Sequence, residues 1–227
     1  MRGFTLIEIA MVLLIMALLL GSLLAPLTAQ IDQQKITETR KSLAGIQEAL
    51  IGHAIANGRL PCPAISATDG NEKSTCTTPA NRQGFVPWVK LGVGKLDAWG
   101  HIYRYSVTPA YASTFTLTSN RDITIQTRNA GGALVNLSNS TDIPAVVLSH
   151  GKNGYGSTND SGAVMAAVPV ANVDELTNAT NGTASPYLFV SRTPTPSGVT
   201  GGEYDDIVVW ISPNTLFNRM VAAGKLP

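Results

Sequence analysis

The chain has 227 residues, 14% of them charged, and a formal net charge of +1 at pH 7. That balance announces no basic face, so bulk charge gives nucleic-acid binding no support. Plentiful Gly (21) and Pro (13) favour short strands and turns over a helical bundle. In chain order the first element is an apolar stretch from Phe4 to Gln30, FTLIEIAMVLLIMALLLGSLLAPLTAQ, in which Glu8 is the one ionisable side chain. The part after Glu8 is long enough for a membrane-spanning helix, which needs roughly 20 apolar residues. A carboxylate at bilayer depth costs about 2.5–3.5 kcal/mol on insertion scales, so a carboxylate placed there points to function. No cation follows along the same helix until Lys35. Its partner is therefore another chain or a free amine.

Ahead of the apolar run stands Met1-Arg2-Gly3, too short to be a secretory signal with charged, apolar and cleavage regions. The sequence Gly3-Phe4-Thr5-Leu6-Ile7-Glu8 resembles the processing site of class III prepilins, the type IV pilin and type II secretion pseudopilin family. The resemblance covers about the first thirty residues. It implies cleavage between Gly3 and Phe4 and N-methylation of the new Phe4 amine. It also implies that Glu8 neutralises the terminal amine of a neighbouring subunit and so sets the assembly register. The partners it implies are identical or related pilin subunits, a prepilin peptidase and an inner-membrane assembly machinery. Residues 1–3 are then a leader, 4–57 a transmembrane and assembly helix, and 58–227 an extracytoplasmic head. The precursor would sit in a bacterial inner membrane with its head in the periplasm, and later in a periplasmic or extracellular filament.

Past Gln30 the helical pattern continues. Ile36, Leu43, Ile46, Leu50 and Ile55 recur at helical spacing, Ala44, Ala49 and Ala54 fill the same side, and Lys35, Glu38, Arg40, Lys41 and Glu48 take much of the rest. The helix is expected to run from Phe4 to about Asn57, about 80 Å at the α-helical rise. Gly58 provides its stop, with Pro61 and Pro63 soon after. Gly21 and Pro26 interrupt the apolar half. Pro26 resembles the helix-breaking proline that accompanies local melting when pilins enter filaments, and a passive kink is the equal alternative.

The two cysteines, Cys62 and Cys76, enclose a polar segment. In an oxidising periplasm such a pair reads as a disulfide at the base of a surface loop. Beyond it, alternation predicts strands over 102–107, 114–118 and 122–127, with Asn120-Arg121 as a hairpin tip between the last two. Further strands are expected at 145–149, 187–190 and 207–211. A terminal helix should begin with Ser212 as N-cap and Pro213 at its first position, bury Leu216, Phe217 and Met220, and stop at Gly224. Segments 151–162, 178–185 and 193–202 read as loops. Trp88, Trp99 and Trp210 read as core residues.

Three segments of the head carry the resemblance further. Asp97-Ala98-Trp99-Gly100 with Tyr103 and Tyr105 resembles the Asp-Pro-Trp-Gly turn of major type II pseudopilins. Ser149-His150-Gly151-Lys152-Asn153-Gly154 resembles their Ser-x-Gly-x-Asp-Gly loop, with Asn153 in place of Asp, and Glu203-Tyr204-Asp205-Asp206-Ile207 their late Asp-Asp-Ile element. In those relatives the loops hold calcium, so the resemblance names Asp160, Asp205 and Asp206 as candidate ligands. Calcium takes about 6–8 oxygens. The alternative is turn chemistry, in which Asp and Asn accept from nearby amides.

Enzymatic readings find little. His53, His101 and His150 are dispersed without metal-ligand spacing: His53 reads as a polar position on the long helix and the other two as turn residues. Gly151-Lys152 lacks the frame of a phosphate loop, and Ser149-His150 lacks the glycines of a nucleophile elbow. The expected fold is α+β: a long N-terminal helix, half membrane-spanning, packed on a small antiparallel sheet with long loops. The expected function is structural and not enzymatic: a pilin or pseudopilin, major or minor, that polymerises into a type IV pilus-like filament. The rival is a monomeric, signal-anchored periplasmic binding domain.

Overall fold

The structure, a computed structural model, describes residues 3–139, 141–180 and 187–226, without the side chains of residues 20–26. Met1 and Arg2 of the expected leader, the side chain of Pro26, and the end of the loop expected at 178–185 lie outside the described residues. The chain forms two compact units, residues 1–38 and 39–227. The long helix α1 (Leu6–Asn57) begins in the first and ends in the second.

In the first unit every described apolar side chain from Phe4 to Leu19 is exposed. Among the described residues no helix is long and apolar enough to cross a membrane. The expected membrane-spanning half is therefore not carried by the described residues: their apolar side chains stop at Leu19 and resume at Leu27.

The second unit is built in layers. The C-terminal part of α1 turns Leu43, Ile46, Leu50 and Ala54 inward, as the helical spacing requires. They meet one face of a four-stranded antiparallel sheet of order β1-β2-β5-β7. Its strands are β1 (Gln83–Phe85), β2 (Arg104–Val107), β5 (Ala145–Ser149) and β7 (Ile207–Ile211). Strand β5 is buried along its whole length because both of its faces are covered. Ala145 and Val147 face the helix cluster, while Val146 and Leu148 face a second cluster with Ile123, Ile125 and Phe189. That second cluster lies against a three-stranded sheet, β4 (Leu134–Asn136), β3 (Ile123–Arg128) and β6 (Tyr187–Val190), in which β3 and β6 run parallel. Continuous apolar strands such as AVVLS suit a position covered on both sides.

Three short helices complete the unit: α2 (Trp88–Leu91), α3 (Val173–Thr180) and α4 (Pro213–Ala222). As expected, α4 starts with Pro213 and buries Leu216 and Met220, and Gly224 adopts φ 65° behind it. Ser212 stands at the N-cap but makes no side-chain capping bond. The disulfide is present: Cys62 and Cys76 are joined, with their Cα atoms 5.6 Å apart. Glu72 braces the loop they close, taking both guanidinium amines of Arg59 at 2.8 Å and the Cys62 amide at 3.1 Å.

Four expectations are corrected. Segment 114–118 is not a strand: Phe115 turns inward against Tyr111, ring centroids 4.6 Å apart, and the Thr116 amide donates to Ser119 Oγ in a local turn. With that strand gone, Asn120-Arg121 is no hairpin tip, and Arg121 instead pairs with Asp142 at 2.8 Å. Residues 178–180 are helical, not loop. Trp88 and Trp99 are half-buried outside both core clusters, while Trp210, also half-buried, packs against the second. Strands β1 and β4, of three residues each, are too short to show a period in sequence.

Candidate functional site

Two places gather the residues that the sequence singles out. The first is the start of α1. Thr5 precedes the helix, and both its backbone N–H and its hydroxyl lie 3.3 Å from Glu8 Oε2. The spacing Thr5-x-x-Glu8 is half of a capping box, in which the carboxylate satisfies an amide that the helix start leaves over. A carboxylate is also favoured there by the positive end of the helix dipole. Among the described residues Glu8 forms no ion pair with a side chain, so its charge is held by weak, exposed contacts. Gly3, Phe4, Thr5 and Glu8 line a cleft of about 490 Å³. Phe4, Leu6 and Ile7 around it are largely exposed. The arrangement is an apolar surface carrying one carboxylate at its rim, suited to receiving a cation and a second apolar surface.

The second place lies behind the ends of β5 and β7. After Ser149 the chain turns at Gly151 with φ 62°, and a Cβ at that position would run into Asp205. Only glycine brings the backbone this close to the carboxylate. Asp205 and Asp206 precede β7, and the first turn of α3 adds Glu175. The carboxylate oxygens of Glu175, Asp205 and Asp206 lie within 4.8 Å of one another. Glu175 and Asp206 are buried. Burial pushes the Glu175 carboxyl up, and the neighbouring Asp206 charge adds to the effect. Burial, reinforced by Asp206 and Glu175, raises Asp205 to about 7.

Amide donors surround these oxygens. Asn153 Nδ2 donates to Glu175 Oε1 at 2.7 Å, and the Asp205 amide to the same atom at 3.0 Å. Asn172 Nδ2 reaches Glu175 Oε2 at 3.3 Å, and Asn178 Nδ2 reaches Asp206 Oδ2 at 2.8 Å. The Asn153 amide donates to Asp205 Oδ2 at 2.8 Å. His150 Nδ1 lies 3.3 Å from Asp206 Oδ1. Among the carboxylate oxygens of Glu175, Asp205 and Asp206, Asp205 Oδ1 is the one buried without a partner. Calcium needs about 6–8 oxygens. The three carboxylates are close enough together to share one cation, and the amide donors that already satisfy most of their oxygens would compete with it. Asn153, standing where the resemblance expects Asp, is itself one of the donors.

Of the three acids expected to converge, Asp205 and Asp206 are together and Asp160 is not with them. The Asp160 carboxylate is exposed and pairs with Lys95 at 2.6 Å. Glu175 was missed in sequence, although Asn172-x-x-Glu175 at the start of α3 has the spacing of a helix-start signature. The histidines hold structural posts. His53 Nδ1 lies 3.0 Å from the Arg59 carbonyl oxygen, and burial lowers its pKa. His101 is raised by the Asp97 carboxylate 3.5 Å away. Burial works against the Asp97 charge, but hydrogen bonds from His101 and Ser149 outweigh it and hold the carboxyl below its ordinary value. The Ser149 hydroxyl donates to Asp97 Oδ2 at 2.6 Å and so helps to hold that carboxylate in place.

No family model, curated protein or solved structure matches this chain.

Proposed function

We propose that this protein is a filament subunit of the pilin and pseudopilin kind. It waits in a membrane through the apolar half of α1, is cleaved between Gly3 and Phe4, and polymerises through that half of the helix. The role proposed is structural and not catalytic. The observation that supports this reading best is the helix start: an apolar stretch from Phe4 to Gln30 with Glu8 as its one ionisable residue, its described side chains bare to Leu19. A surface of this kind needs lipid or other helices to cover it. In the filament the neighbours' helices would do so, and the methylated Phe4 amine of an adjacent subunit would supply a cation for Glu8. A heterologous contact that does not close on itself extends without limit, which is the physical requirement for a fibre.

The test is Glu8→Val in a cell that assembles the filament. Removing the carboxylate relieves an insertion cost of about 2.5–3.5 kcal/mol, so the variant should accumulate in the membrane at least as well as the parent. It should be nearly absent from sheared filaments. Incorporation at the parental level would refute the role given to Glu8.

A further inference from the structure

A cavity of about 370 Å³ opens between the turn after β3 and the loop that follows β6. Two guanidiniums, Arg128 and Arg192, line it together with Thr193, Thr195 and Thr200, and no acidic residue is among its lining residues. Behind them sits Asp174 in the first turn of α3, its side chain 1% exposed. Arg128 Nε and Nη2 each approach the Asp174 carboxylate to 2.7 Å. Arg192 Nε lies 2.7 Å from Asp174 Oδ2, but its N–H is misaligned for a hydrogen bond. Gly201, at φ 92°, lies so close that a Cβ there would strike both Arg128 and Asp174. Backbone therefore shuts the ion pair on one side, while the cations face the cavity on the other.

Among the groups in contact with these guanidiniums the charge does not balance. Two guanidiniums share one carboxylate, and the positive end of the α3 dipole adds to the surplus. Both cations are largely withdrawn from water, their side chains 14% and 6% exposed, where unneutralised charge is costly. The remaining partners are neutral. Arg128 Nη1 donates to the Gly132 carbonyl at 2.6 Å, and Arg192 donates to Thr195 Oγ1 and the Gly202 carbonyl. The Tyr204 ring, 4.7 Å from the Arg192 guanidinium, softens the surplus without cancelling it. Each guanidinium has more N–H donors than these partners use.

We propose that this cavity binds phosphate, as the free ion or as a monoester. Guanidinium forks and threonine hydroxyls suit its oxygens, and one anion of this size supplies the missing negative charge. The inference rests on the head alone and stands whether or not the chain assembles into filaments.

The full-length chain in neutral detergent, at ionic strength fixed with chloride, would be titrated with inorganic phosphate by calorimetry. Saturable binding at one site per chain is expected. Arg192→Gln should abolish it. If that variant fails to fold, Thr193→Glu decides, because it places a negative charge at the exposed rim and leaves the ion pairs intact. It should unfold no lower than the parent in phosphate-free buffer and bind phosphate at least tenfold more weakly. Parallel titration with glycerol 3-phosphate separates the sources: binding of both ligands assigns an esterified headgroup, and binding of phosphate alone assigns the free ion. Absence of saturable heat, parental affinity in Thr193→Glu, or an equal response to acetate would overturn the proposal.

Discussion

Asp205 carries a buried carboxylate oxygen with no donor, between two other acids. Its ordinary value is near 3.8 and the folded chain raises it to about 7. Between these pH values the folded state holds a proton that the unfolded state has released, so stability falls as pH rises from about 4 to about 7. Asp205→Asn should remove that slope. Compared with the parent by thermal unfolding, it should gain most above pH 7 and gain nothing near pH 4; parallel curves would exclude a shared proton. His101, also raised, adds a loss of stability as pH rises through its folded value, while lowered His53 acts in the opposite sense below 6.5. Subtracting the two curves isolates Asp205. The amide-filled cluster also predicts that calcium leaves the melting temperature unchanged, and a saturable rise would show that Asn153, Asn172 and Asn178 yield to the ion. In sequence, Asp205 and Asp206 were visible as a pair, but Glu175 was not tied to them. It comes from α3, some thirty residues earlier, and only the packing of α3 beside β6 and its hydrogen bonds to the residues ahead of β7 bring it in.

At the scale of elements, legibility followed periodicity and length. The inward face of α1, the buried β5 and the Pro213-led α4 could each be read from spacing, because burial imposes 3.6- and 2-residue periods on side chains. Segment 114–118 alternates just as well, yet the burial of Phe115 against Tyr111 and Phe217 turns it into a loop. Tertiary packing there overrides a strand propensity that is itself context-dependent. The parallel pairing of β3 with β6 joins segments about sixty residues apart, and no local pattern announces it. The disulfide loop is the element with the clearest energetic consequence. Its cysteines are 14 positions apart and belong to the helix-facing cluster. Cys62→Ser should lower the stability of the head by about 2–5 kcal/mol, measured by denaturant unfolding of the full chain. A midpoint equal to the parent's would mean that the Arg59–Glu72 pair alone holds the loop.

On the scale of the whole molecule, the chain joins a bare helix start with one carboxylate to a layered head. The head buries two apolar clusters on opposite faces of one sheet and leaves only scattered side chains such as Val164 and Val170 largely exposed among its described loops. At the helix start every described apolar side chain from Phe4 to Leu19 is exposed, and under the proposed function other subunits cover it. Glu8 can be read two ways at the residue level, as half of a capping box and as the partner of a neighbour's amine. Under the proposed function the two uses are sequential, because cleavage at Gly3-Phe4 would leave Thr5 and Glu8 in place and create the amine. The most direct measurement is the intact mass of the chain recovered from membranes with and without a prepilin peptidase. The account predicts that the peptidase removes Met1 to Gly3 and that Phe4 then carries one added methyl group. A chain that keeps Met1-Arg2-Gly3 in the presence of active peptidase would contradict it.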